Sequence, residues 1–238
     1  MANGSENATR PPEEPARRVQ ALEVGVFLFL FVPSLVVEYF STQSDVLSFR
    51  VVALTSILRN LSLLALILYF LWRNGEAFSQ IGLTRSKAAI EVLWGLALFF
   101  PVTFAINVLD EVFRRIGIGL STPTGQPSPF AFTGSGDLLL ALALVITVAV
   151  VEEIIFRGYL IRRFSAISGS LPLAILVSAA IFSLGHHYEG GAGVLSAGIF
   201  GVFMGVVYGW RKSLVAPIVI HFLQDFIVIV LLPFLASQ

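Results

Sequence analysis

The sequence has no cysteine, only three histidines, and few charges: 13% of its 238 residues are Asp, Glu, Lys or Arg. Without cysteine there is no disulfide, thiolate metal site or thiol nucleophile, so any metal would have to be held by His, Asp or Glu. Lys+Arg and Asp+Glu both number 15, and zero net charge leaves no electrostatic footprint for a nucleic-acid partner. Repeats of the solenoid periods are absent, as are H-E-x-x-H and G-x-S-x-G. What the chain has instead is apolar bulk. Hydrophobic residues make up 56%, against about 45–50% apolar and about 25% charged in soluble domains.

A bilayer's hydrocarbon core, about 30 Å thick, needs roughly 20 apolar residues in a helix to cross it. By that measure the sequence predicts an all-α, polytopic transmembrane helix bundle of about seven spans, at 21–40, 51–72, 88–108, 137–160, 171–187, 194–210 and 214–235. An eighth, irregular segment in the 109–135 connection would change the parity. The first span follows a polar tail and lacks the A-x-A-like site of a signal peptide. The tail itself, residues 1–20, is Pro-rich and mixed in charge and is expected to be disordered. With the N-terminus cytoplasmic, one side holds Arg10, Arg17, Arg18, Arg73, Arg85, Lys87, Arg162, Arg163, Arg211 and Lys212, and the other holds Arg50, Arg114 and Arg115. That bias predicts N-terminus in and, with seven spans, C-terminus out.

The main break in composition is the Pro/Gly/Ser/Thr-rich connection at 117–137. It divides the chain into scaffold helices with their connecting loop, residues 21–135, and a chemically richer core, residues 136–238. Arg59, Asn60 and Asn107 are the scattered polar residues of the first part. The second part holds Glu152, Glu153, Arg157, His186, His187, His221 and Asp225, including every histidine of the protein. In span six, Ala197, Gly201, Gly205 and Gly209 recur every four residues. Small residues at that spacing make a flat stripe for close helix packing.

A charge at mid-bilayer costs roughly 2.5–3.5 kcal/mol even on the lenient insertion scale, and such groups face the bundle interior. In VEEIIFRGYL, residues 151–160, Glu153 and Arg157 are i and i+4 and are expected to pair on one helix face. Glu152 lies about 100° round and is left available. In HFLQD, His221 and Asp225 have the same i, i+4 spacing, so Asp225 is placed to fix the tautomer of His221 or to join it on a metal. Phe182 and His186 repeat it in FSLGH. Glu152, His186 and His221, on three apolar helices, suit water activation in either of two ways. A divalent metal, best zinc, held by Glu152, His186, His221 and Asp225 would lower the pKa of a bound water to about 7. Without a metal, Glu152 would act as general base while His221 and Asp225 polarise the scissile carbonyl. A proton-coupled transporter and a non-catalytic scaffold are the readings outside catalysis. His187 is read as a supporting or interfacial residue and Glu189 as a solvated loop charge.

The ordered set EEIIFR, FSLGH and HFLQD resembles the three motifs EExxxR, FxxxH and HxxxN/D of the CAAX prenyl protease and bacteriocin-processing family, whose CAAX-cleaving members are type II endopeptidases. The resemblance implies an intramembrane endopeptidase acting on a peptide or lipidated protein substrate, with Glu152, Glu153, Arg157, His186, His221 and Asp225 as site residues. It implies that the first glutamate and the second-motif histidine activate water and that the third motif forms the oxyanion site. Asp225 departs from the Asn of the best-known CAAX-cleaving members. An ionised aspartate only accepts hydrogen bonds, which suits ligating a metal or orienting His221 better than donating to an oxyanion.

Overall fold

A computed structural model describes residues 15–42, 48–83, 87–116 and 135–236, and each regular element among them is helical. Residues 1–14 of the polar tail, Arg85, residues 117–134 of the connection and the side chains of Arg114 and Glu189 lie outside what it describes. The elements run α1 (Arg17–Thr42), α2 (Phe49–Arg73), α3 (Ala88–Arg115), α4 (Leu138–Glu152), α5 (Ile161–Ser168), α6 (Leu171–Leu184), α7 (Gly190–Arg211), α8 (Val215–Asp225) and α9 (Leu232–Ala236), with short 3₁₀ turns between some of them. Two stretches of π-helix splice neighbouring helices into longer ones: Glu153–Leu160 joins α4 to α5, and Phe226–Leu231 joins α8 to α9.

Six stretches are long and apolar enough to cross a bilayer: Arg17–Val37, Phe49–Arg73, Ala88–Phe113, Leu138–Ser168, Gly190–Arg211 and Val215–Leu235. They make this a multi-pass membrane protein. Their outward side chains, such as Phe29, Leu58, Phe100, Phe104 and Leu139, are exposed as lipid-facing groups should be. Three expected limits move. Helix α1 begins at Arg17, so Arg17 to Gln20 belong to the helix and not to a disordered tail; Gln20 is buried and its Nε2 donates to the Pro15 carbonyl at 2.7 Å. The fourth span runs on to Ser168 without a break. The fifth ends at Leu184, where Gly185 caps it. Its 14 residues cover only about 21 Å, less than a bilayer core.

The start of α6 is written locally. Gly169, with φ 73°, closes α5 in the left-handed conformation, the Ser170 hydroxyl accepts from the Leu173 amide at 3.4 Å, and Pro172 sits in the first turn. The small-residue stripe of α7 then packs on α6. A Cβ added at Gly205 would lie 2.6 Å from Ile175 Cγ2, and one at Gly201 would lie 3.0 Å from the Ala179 Cβ. The core between the helices holds Phe27, Ile67, Leu71, Phe156, Phe182 and Ile220.

One end of the bundle is tied by ions. Glu23 of α1, 1% exposed, takes Arg73 at 2.7 Å, Asn74 at 2.8 Å, the Tyr159 hydroxyl at 2.8 Å and Arg163 at 3.1 Å. Arg163, itself 1% exposed, also pairs with Glu76, as does Arg162. The sequence counts Arg73, Arg162 and Arg163 as flanking charges; the fold makes them partners of two buried acids. Burial alone would raise the Glu76 carboxyl, but Arg163, Asn74 and Arg162 outweigh it and hold Glu76 below the usual carboxylate value of 4.5.

Candidate active site

Helix α4 delivers Glu152 at its last α-helical residue, half-buried, and Glu153 opens the π-helical stretch. The change of winding is visible at its far end, where the Ile161 amide donates to Phe156, five residues back. Glu153 and Arg157 pair as expected, at 2.8 Å between Arg157 Nη1 and Glu153 Oε1, and are 0% and 1% exposed. The same Glu153 oxygen stands 2.8 Å from Nδ1 of His221 on α8. An ionised carboxylate can only accept, so Nδ1 carries the proton it donates there. On the other side of the ring, Nε2 is 3.5 Å from Asp225. His221 is thus flanked by carboxylates at both nitrogens, one expected from its own helix and one contributed by the first motif.

Phe182 explains why the second motif begins with an aromatic residue. The Arg157 guanidinium lies over its ring, 4.4 Å from the centroid, within cation–π range. Its ring centre is 4.7 Å from that of His186 and 6.1 Å from that of His221. All three motifs meet at this one side chain. His186 lies just past the end of α6, in the turn, with Nδ1 3.3 Å from the Phe182 carbonyl.

Glu152, His186, His221 and Asp225 line one cavity of about 250 Å³. Glu153 and Arg157 are not on its wall; they stand against His221 and Phe182, which are. The cavity also takes Ser56, Arg59 and Asn60 from α2, Tyr188 beside His186, Ser196 of α7 and Gln224 of α8. None of these is assigned to the site by the sequence. The signal available for α2 is weak but present: residues 56, 59, 60 and 63 lie on one helical face and three of the four are polar amid apolar neighbours.

The expected zinc set can be held against the same geometry. Among the described residues, no group of three or more His, Asp or Glu side chains is arranged to hold a metal ion. Glu152, His186, His221 and Asp225 share a cavity, but as placed they do not form a cage.

Comparison with known proteins bears on this region. Residues 134–227, somewhat less than half the chain, match the family described as Rce1-like, Type II CAAX prenyl endopeptidase Rce1-like. The matched stretch carries all three motifs, agrees with the resemblance read from them, and supports a membrane protease. No curated protein and no solved structure matches the chain.

Proposed function

We propose that the protein is an intramembrane endopeptidase that hydrolyses a peptide bond of a membrane-associated or lipidated protein, with Glu152 activating the water. The observation that carries this reading is the convergence of Glu152, His186, His221 and Asp225, from three separate segments, on one cavity among membrane-crossing helices. Ionisable groups are expensive at that depth, so four of them around open space call for chemistry. Glu152 takes a proton from water held between it and His186. The hydroxide adds to the scissile carbonyl, and His221, carrying a proton on each nitrogen between Glu153 and Asp225, donates from Nε2 to the oxygen that gains charge. Collapse of the tetrahedral centre breaks the C–N bond, and Glu152 returns the proton to the leaving amine. Glu153 and Asp225 hold the His221 ring, and Arg157 holds Glu153. They are positioning residues in this scheme.

The metal-assisted version would need Glu152, His186, His221 and Asp225 to draw together around one ion. We further propose that the end carrying Glu23, Glu76 and Arg163 faces the cytoplasm, following the bias of basic flanks. Purified protein assayed on prenylated and unprenylated peptides, with Glu152→Ala, His186→Ala and a chelator, tests the catalytic reading. Loss with both substitutions and persistence in chelator supports the metal-free scheme. Chelator loss restored by zinc supports the metal-assisted one. If the wild type cleaves none of the peptides, or the substitutions leave cleavage intact, the reading is overturned.

A further inference from the structure

On α8, His221, Gln224 and Asp225 all reach the cavity, because residues three and four apart share one helix face. The hydrolytic scheme uses the first and the third and leaves Gln224 without a task. Its side chain is half-buried, and its Oε1 accepts a hydrogen bond from the Thr103 hydroxyl of α3 at 3.4 Å. That contact is backed by tight packing: α3 lies so close to α8 that a Cβ added at Gly95 would stand 2.6 Å from the Val219 Cβ.

A primary carboxamide has two unlike ends, an oxygen that accepts and an NH2 group that donates twice. With Oε1 turned to Thr103, the end left to the cavity is Nε2. Among the described residues no hydrogen bond engages that nitrogen, and it is not sealed in the core. The wall therefore carries a neutral donor within one helical turn of His221.

The reaction has a use for it. The carbonyl oxygen gains its charge in a cavity bordered by the carboxylates of Glu152 and Asp225, and Asp225 stands 3.5 Å from the same Nε2 of His221 that serves that oxygen. The imidazole proton is contested. Asp225, which only accepts when ionised, cannot make up the difference, whereas an amide N–H can.

We propose that Gln224 is a catalytic residue: its side-chain amide, held in one sense by Thr103, donates from Nε2 to the carbonyl oxygen as the tetrahedral centre forms, beside His221. This rests on the peptidase reading and adds to it a donor that the three motifs do not include. The amide keeps both its protons throughout, so the proton path through Glu152 is unchanged.

The test uses the full-length protein with a fluorogenic farnesylated peptide and two uncleavable analogues of it, one with a phosphinate at the scissile position and one with a reduced CH2–NH bond. The phosphinate carries the tetrahedral oxygens, and the reduced bond carries none. In Gln224→Leu and Gln224→Glu, kcat should fall on the order of 10²- to 10³-fold with KM little changed. Binding of the phosphinate should weaken by a like factor, while the reduced analogue binds as it does to wild type. Thr103→Val, which frees the amide to turn, should lower kcat by less and leave KM alone. An unchanged kcat in Gln224→Leu would overturn the inference. So would equal weakening of both analogues, or a fall in the unfolding midpoint that accounts for the lost activity, since each marks a packing role. Failure of the peptidase reading looks different, since wild type then cleaves nothing. The two analogues still decide: a preference for the phosphinate that Gln224→Leu abolishes keeps the donor, and equal binding removes it.

Discussion

Two clusters of charge lie within this bundle, and they are built to opposite rules. At the end tied by Glu23, the acids Glu23 and Glu76 meet Arg73, Arg162, Arg163, Asn74 and Tyr159, and the Arg163 guanidinium bonds to both acids. Around the cavity, Glu152, His186 and Asp225 border open space, and even the buried pair against it leaves Glu153 Oε2 and Arg157 Nη2 without a hydrogen-bond partner. A buried polar group left unmatched costs about 1–3 kcal/mol. Charge satisfied in one place and left incompletely matched in another separates a structural joint from a candidate site.

That contrast can be broken by substitution. Glu152→Gln should lower peptide hydrolysis about 10²- to 10⁴-fold while the unfolding midpoint in detergent stays in place; a midpoint that fell with the activity would put Glu152 among the structural charges. Arg163→Met should do the reverse, destabilising the fold by about 1.5–3 kcal/mol by removing the guanidinium that bonds both buried acids, read as the shift in a denaturant or SDS titration. Glu153→Gln belongs to both clusters in behaviour. It should cut kcat about 10- to 100-fold by freeing His221 and also lower the unfolding midpoint, because Arg157 loses its counter-charge. Gly205→Val, in neither cluster, should cost about 1–3 kcal/mol by forcing α7 off Ile175, with KM unchanged in the fraction that remains folded.

The smallest effect expected is with pH. Glu76 is held below the ordinary carboxylate value, so its ionised form is favoured in the folded state. Its contribution is complete above about pH 4.5 and is lost as pH falls through the lower folded value. Thermal midpoints should therefore decline more steeply below that pH in wild type than in Glu76→Gln, and parallel profiles would remove Glu76 from the account.

What the sequence makes legible is local. Glu153 with Arg157, and His221 with Asp225, follow from a spacing of four on a helix, and the multi-pass architecture follows from run lengths of apolar residues. The contacts that define the site are of another kind. Glu153 reaches His221 across 68 residues and Glu23 reaches Arg163 across 140, and neither can be read without knowing which helices touch and at what height. Arg73, Arg162 and Arg163 look like solvated flanks because Glu23 and Glu76, seen in sequence, look like ordinary surface acids. Arg59 and Asn60 give only a weak signal in the sequence, two polar residues within an apolar span; the packing of α2 against α4 is what turns that face toward the cavity. Apolar run length carries the fifth span through His186, whereas in the fold Gly185, directly after Leu184, ends α6 before that histidine is reached.

The π-helical stretch that starts at Glu153 ties chain length to the aim of side chains. Such a turn accommodates one residue more than an α-turn, so deleting any single residue between 153 and 160 would let the backbone rewind as ordinary helix. The helix on either side would keep its direction, and only the side chains inside the rewound turn would change face. Glu153 and Arg157 lie inside that turn, so their aim at His221 and Phe182 depends on the extra residue. The winding of this segment, and not only the residues in it, sets where the first motif points.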